Sequence, residues 1–216
     1  MQHTLITFPE IRLKTRDAHK LRGYFGALFQ AHSPLLHNHY EDGRFRYAYP
    51  LVQYKVIGGV PTLLGLGEGS ELLTSLFLQI GEIEIEGRVY PVLHKHIRNE
   101  VVAPGINGSL HRYRFATLWM ALNQKNYPLY RDADEAGQQQ LLTRVLTNQL
   151  IAFLRAVGAP TEEKLLAIPE VAERKTMFKD QQMLAFTGGF VANVLLPEAV
   201  GIGKSVSRGF GAVLPA

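Results

Sequence analysis

An α+β fold made of two similar halves is what the sequence predicts, on three observations. Strand-like and helix-like segments follow one another as β-α-β-β-α-β up to Glu86, with a further strand to Ile97. Past the linker-like stretch Pro104–Gly108 the order restarts as β-α-β-β-β. Where that second half lacks a helix, Gly201, Gly203, Gly209 and Gly211 stand close together. The order is that of the ferredoxin-like (RRM-like) domain. The chain therefore divides into tandem domains over 1–106 and 107–216, the second with a glycine-rich loop in place of its second helix.

Each element has its own warrant. Thr4 to Leu13 is strand-like. Asp17 is placed to cap a helix running to about Gln30, with Leu21, Tyr24, Phe25 and Leu28 on one face, and Ser33-Pro34 breaks it. Phe45 to Ile57 is rich in β-branched and aromatic residues. Gly58-Gly59 turns it into Val60–Leu66, a hairpin. Glu68 to Leu78 reads as a short helix, and Ile80 to Glu86 alternates isoleucine with glutamate as a half-buried strand does. Gly87-Arg88 leads into a further strand over Val89 to Ile97.

In the second half, Leu110 to Leu118 is strand-like. The strongest helix runs from Glu135 to Val157, with Leu142, Leu146, Leu150 and Leu154 on its apolar stripe and Gly158 as its stop. Lys164–Met177 and Met183–Leu196 form a long hairpin, and Arg208–Leu214 a last strand.

A chain of 216 residues without cysteine forms neither disulfides nor thiolate metal sites. Met1 to Thr4 lacks the start of a secretory signal, and no apolar stretch approaches the length of a membrane span. The expectation is a cytoplasmic protein that keeps away from membranes. Its net charge of +4 is mildly basic. Arg12, Lys14, Arg16, Lys20, Arg22, Arg44, Arg46 and Lys55 concentrate that charge in the N-terminal third. Such a footprint suits nucleic acid, and equally an ordinary solvated surface.

The segment Gly201–Gly211 pairs backbone able to approach a phosphate closely with Lys204, Ser205, Ser207 and Arg208. A nucleotide P-loop is disfavoured, because its first glycine would fall on Glu198 and no helix follows. The RNA-recognition strand signature fits Arg208-Gly209-Phe210-Gly211 and Val213, but not Ala212 or Pro215. There remain a loop laid against a polynucleotide backbone and a tight loop without a ligand.

The densest polar constellation is Leu36-His37-Asn38-His39-Tyr40, followed by Arg44, Arg46, Tyr47 and Tyr49. Histidine exchanges a proton near neutral pH. Two histidines in one loop can serve the two sides of a phosphodiester, one removing the ribose 2′-hydroxyl proton and the other protonating the leaving 5′-oxygen. A nearby cation would stabilise charge developing on the phosphorus oxygens. A metal reading would need further ligands, for which His94-Lys95-His96 offers a second H-x-H pair. Surface histidines without a role are the plain alternative. His111, Tyr113 and Phe115 share one strand face, and Trp119 with Leu122 reads as core.

Four stretches together resemble a known family. They are Leu36–His39 with Tyr47–Lys55, Leu118–Tyr127, Ala185–Asn193 and Gly201–Val213. Their order and span are similar to those of the CRISPR-associated repeat-RNA endoribonucleases, the Cas-six group, in its b-type branch. The closing Gly-x-Gly-Lys-x-Val-Ser-Arg-Gly-Phe-Gly is the most specific of them. The resemblance implies two ferredoxin-like domains and metal-independent, cofactor-free cleavage of CRISPR precursor RNA within its repeats. The products would carry 2′,3′-cyclic phosphate and 5′-hydroxyl ends. It places catalysis on His37, His39 and Tyr47, and RNA-backbone contacts on Gly201–Gly211. Some relatives carry a basic helper on the first helix, but Gly23–Gln30 contains no lysine. Lys20, Arg44, Arg46 and Lys55 are the candidates for it, and Arg44, Arg46 and Lys55 are also expected to contact the RNA. The partners implied are repeat RNA and other CRISPR effector subunits, for a monomer or homodimer. Two rivals stand beside this reading: an RNA-binding protein of the same fold that does not cleave, and a metal-dependent enzyme using the H-x-H pairs.

Overall fold

The computed structural model describes residues 1–29, 49–178 and 181–216. It divides into two compact units. One comprises Met1–Ala103 with Val206–Gly209, the other Pro104–Ser205 with Phe210–Ala216.

The first unit contains β1 (Gln2–Thr7), α1 (Ala18–Leu28), β2 (Val52–Ile57), β3 (Val60–Leu66), α2 (Glu68–Leu76), β4 (Glu82–Ile85), β5 (Arg88–Pro91) and β6 (His96–Val101). Its main sheet has the order β2-β3-β1-β6 with antiparallel neighbours. That order is the ferredoxin-like one. At the β2–β3 hairpin Gly58 and Gly59 both take positive φ, 58° and 83°, the primed turn that matches strand twist. Phe8, Leu21, Phe25, Tyr54, Leu63 and Leu73 pack in the core between sheet and helices.

Two expectations change here. The strand expected over Val89–Ile97 is broken, because β5 pairs with β4 in a separate two-stranded sheet while β6 pairs with β1. Pro91 is paired with Glu82, and Val92 donates to Gly81 at 2.9 Å, which continues the β4–β5 ladder and holds this stretch away from the main sheet. Asp17 precedes α1 but does not cap it with its side chain. Its carboxylate accepts from the Lys14 N–H at 3.0 Å and the Lys20 amine at 2.7 Å.

The second unit contains β7 (Gly105–Phe115), α3 (Asn126–Arg131), α4 (Glu135–Ala156), β8 (Ala167–Phe178), β9 (Gln181–Leu195) and β10 (Val213–Pro215). Its sheet order, β10-β7-β9-β8, repeats that of the first. Asp134 caps α4 by accepting the Gly137 N–H at 2.9 Å. Leu142, Leu146, Leu150, Phe153 and Leu154 form its buried stripe. Trp119 is fully buried, stacked on Phe115 at 5.2 Å, and donates its indole N–H to Gln149 at 2.8 Å. Between β9 and β10 the only helical turn is a short 3₁₀ turn at Val206–Arg208.

Candidate nucleic-acid interface

The glycine-rich segment is built from both ends inward. In the second unit Gly201 bridges Ala212. Ile202 donates to Gly211 at 2.8 Å, Gly211 to Leu118 at 2.8 Å, and Lys204 to Met120 at 3.0 Å. These bonds leave Lys204 exposed and Ser205 half-buried. Gly203 lies against the Trp119 ring, where a Cβ would meet the indole at 2.9 Å. Phe210 is half-buried, and Gly201 and Gly211 are buried. Those two glycines therefore hold the loop together rather than face a ligand.

Val206–Gly209 fold with the first unit. Val206 and Ser207 are buried and Arg208 is half-buried. Gly209 takes a φ of 97° and approaches Ala18 at the start of α1 so closely that any Cβ would collide with the Ala18 methyl. Only glycine fits there without strain.

Three cations gather near this turn. Lys55 of β2 is fully buried, with its amine 3.5 Å from the Val206 carbonyl. Burial pulls its pKa down to about 7. This corrects the expectation of Lys55 as a surface RNA contact: the ammonium is covered by protein and cannot reach a phosphate. Burial also draws the Arg22 guanidinium below its usual range, and the charge of Arg208 adds to that effect.

Lys20 is otherwise engaged. Its amine bridges Asp17 at 2.7 Å and Glu86 at 2.8 Å, and both carboxylates raise its pKa. Arg22, also on α1, was counted in the basic N-terminal third but not among the candidates for the basic helper. The signal was available, because α1 ends at Leu28 and Arg22 lies within it.

His37, His39, Tyr47, Arg44 and Arg46 lie outside the described residues, in the connection between α1 and β2. The other candidates are placed. His94 is exposed and pairs with Glu10 at 2.6 Å. His111 bonds Asn107 at 2.9 Å, and the buried Tyr113 donates to Val194 at 2.9 Å. Among the described residues no three of His, Asp and Glu converge on one point. Among them, too, no helix is long and apolar enough to cross a membrane.

Comparison with known proteins adds the family. The model of the Cas6b N-terminal domain matches residues 1–102, and that of the Cas6b C-terminal domain matches residues 105–216. A crystal structure of Cas6b is 34% identical, with a TM-score of 0.95 over 100% of this chain and 99% of that one. A CRISPR RNA processing endoribonuclease Cas6b is 32% identical, with a TM-score of 0.81 over the whole of both chains. An uncharacterized protein of Methanocaldococcus jannaschii is 32% identical over 140 residues, 64% of this chain and 95% of that protein. A type IV Cas6 crRNA endonuclease, 13% identical, shares the fold at a TM-score of 0.62 over 100% of this chain and 99% of that one.

Proposed function

Because the chain belongs to the Cas6b family, matched along both of its domains, we propose that it is an endoribonuclease that cleaves CRISPR precursor RNA within its repeats. The observation that carries this is the full-length likeness, at 32% identity, to a solved CRISPR RNA processing endoribonuclease. The mechanism that suits these residues needs no metal. One of His37 and His39 takes the proton of the ribose 2′-hydroxyl, and the oxygen attacks the adjacent phosphorus. The other histidine protonates the departing 5′-oxygen. The bond from phosphorus to that oxygen breaks, leaving a 2′,3′-cyclic phosphate and a 5′-hydroxyl. Tyr47 assists beside them.

The Arg22–Arg208 pair supports the electrostatic part. Two guanidinium groups can offset the charge on the phosphoryl oxygens, a role for which Lys55 is too deeply buried. Lys204, Ser205 and Arg208 supply RNA-backbone contacts from the glycine-rich segment. Other CRISPR effector subunits are further partners in this reading, and the protein acts in the cytoplasm as a monomer or homodimer. The reading in which RNA is bound but not cut draws on the engagement of both candidate lysines, and the same assay decides it.

The test is single-turnover cleavage of a repeat RNA in excess chelator. Wild type should cut. His37→Ala or His39→Ala should slow cleavage on the order of 10²- to 10⁴-fold while leaving RNA affinity within a few fold. A 2′-deoxy substitution at the cut site should abolish cleavage but not binding. Cutting of that deoxy substrate at the normal rate would overturn the mechanism, and activity that returns only with a divalent ion would favour the metal-dependent rival.

A further inference from the structure

The second unit holds a cleft of about 890 Å³ that the proposed chemistry does not use. It lies between α3, with the loop before it, and the β8–β9 hairpin, and Lys204 is on its wall. Its volume is in the range of clefts that take small ligands, about 300–1,000 Å³. We infer that this cleft is a subsite for an unpaired nucleotide of the substrate RNA, lying outside the segment that is cut. The inference rests on the reading of the chain as a CRISPR RNA endonuclease.

Three features select that ligand. The first is charge. Lys125, Arg131, Lys175 and Lys204 line the cleft against the single carboxylate of Glu173. Arg131 is held by Asp132 at 2.8 Å, so the three lysines carry the attraction for phosphate. The second is a stacking group: Tyr127 is 45% exposed on the wall, and every base has a face that stacks on such a ring. The third is a fixed acceptor on the exposed lining. The Glu173 carboxylate accepts from the buried Tyr130 hydroxyl at 2.8 Å, which holds it in place as an acceptor for a base amino group. A duplex keeps its bases stacked on one another and cannot offer one to such a cleft, whereas a single strand can. An acidic protein segment would satisfy the lysines but would make no use of a stacking ring beside a carboxylate.

The experiment compares two repeat RNAs, one with single-stranded tails on both sides and one with both tails removed. Wild type should bind the tailed RNA about tenfold more tightly or better. The double variant Lys125→Glu/Lys175→Glu should bind tailed RNA no better than trimmed RNA, and should still bind and cut trimmed RNA as wild type does. Tyr127→Ala, at an exposed position, should lower tailed-RNA affinity roughly 5- to 100-fold with the same selectivity. Equal binding of the two RNAs by wild type, or full affinity of these variants for tailed RNA, would overturn the cleft assignment alone. Loss of a protein partner with RNA binding intact would also overturn it, as a protein-docking surface. Failure of wild type to bind either RNA would instead overturn the parent reading.

Discussion

Two lysines meet the glycine-rich segment in opposite surroundings. Lys55, in the first unit, is fully buried with its amine on the Val206 carbonyl, and burial brings its pKa to about 7. Lys204, in the second unit, is exposed, and among the described residues only its backbone is tied down, to Met120 at 3.0 Å. The same functional group is set to two tasks. A covered ammonium costs stability and supplies local geometry, while an exposed one costs little and supplies affinity for phosphate. Arg208 lies between these extremes, half-buried beside Arg22.

The sharpest way to break the comparison is to lift the cover from Lys55. Gly209→Ala places a methyl against the Ala18 side chain at a backbone φ of 97°. Backbone strain and overpacking together should cost about 2–5 kcal/mol of unfolding free energy. Denaturant titration measures the loss. Acetylation of Lys55 by an amine reagent, read by mass spectrometry, should rise at the same time. Unchanged protection of Lys55 would mean that the Val206–Gly209 turn is not what covers it.

Removing the buried charge has the next largest effect, in the opposite direction. The folded pKa of Lys55 is about 7, against 10.5 for the free side chain. Between those values the unfolded chain holds a proton that the folded chain lacks, so this group makes stability rise with pH across that window. Lys55→Met should stabilise the fold by roughly 1–4 kcal/mol near pH 7. The gain should shrink toward pH 10 as the wild type catches up. A variant less stable than wild type at pH 7 would show that the bond to Val206 outweighs the cost of burying the amine.

The contrast between the two lysines was not legible in the sequence, for a physical reason. In a strand with period two, Gln53 and Lys55 fall on the face opposite Val52, Tyr54 and Val56, which is the face sequence reasoning leaves to solvent. Their cover includes Val206, far along the chain, and no local pattern records that. The same limit explains the broken Val89–Ile97 strand, because alternation shows that a segment is extended but not which sheet receives it. It explains α3 less well. Asn123 accepts the N–H groups of Lys125 and Asn126, both at 2.8 Å, as a helix-starting asparagine does, and Pro128 sits within the first turn. That signal was present, but the sequence reading assigned no element to Asn126–Arg131. Where elements carry their own stripe and stop, as α4 does with Leu142, Leu146, Leu150 and Gly158, the sequence and the structure agree closely. The sheet order of the second unit agrees with the ferredoxin-like element order, whereas in the first unit the strand after α2 went to a separate ribbon. Of the site, the glycine-rich segment was legible as a loop, but the division of its residues between buried support and exposed contact was not.

The smallest effects belong to the exposed end, and they sharpen the comparison most finely. Lys204→Ala removes a charge that no ion pair holds among the described residues. It should leave folding stability within about 0.5 kcal/mol, as expected of an exposed residue. If Lys204 contacts one phosphate, RNA affinity should fall a few fold at low salt. The slope of log affinity against log salt should drop by roughly 0.7–0.9, the counterions released per contact. Arg208→Ala should lower the slope by a similar amount but also cost measurable stability, because its half-buried side chain packs as well as binds. The single-turnover rate on saturating RNA separates the two further. It should be unchanged in Lys204→Ala, which affects only affinity, and lower in Arg208→Ala, if its pairing with Arg22 holds the reacting phosphate. Equal rates for both variants would assign Arg208 to affinity alone.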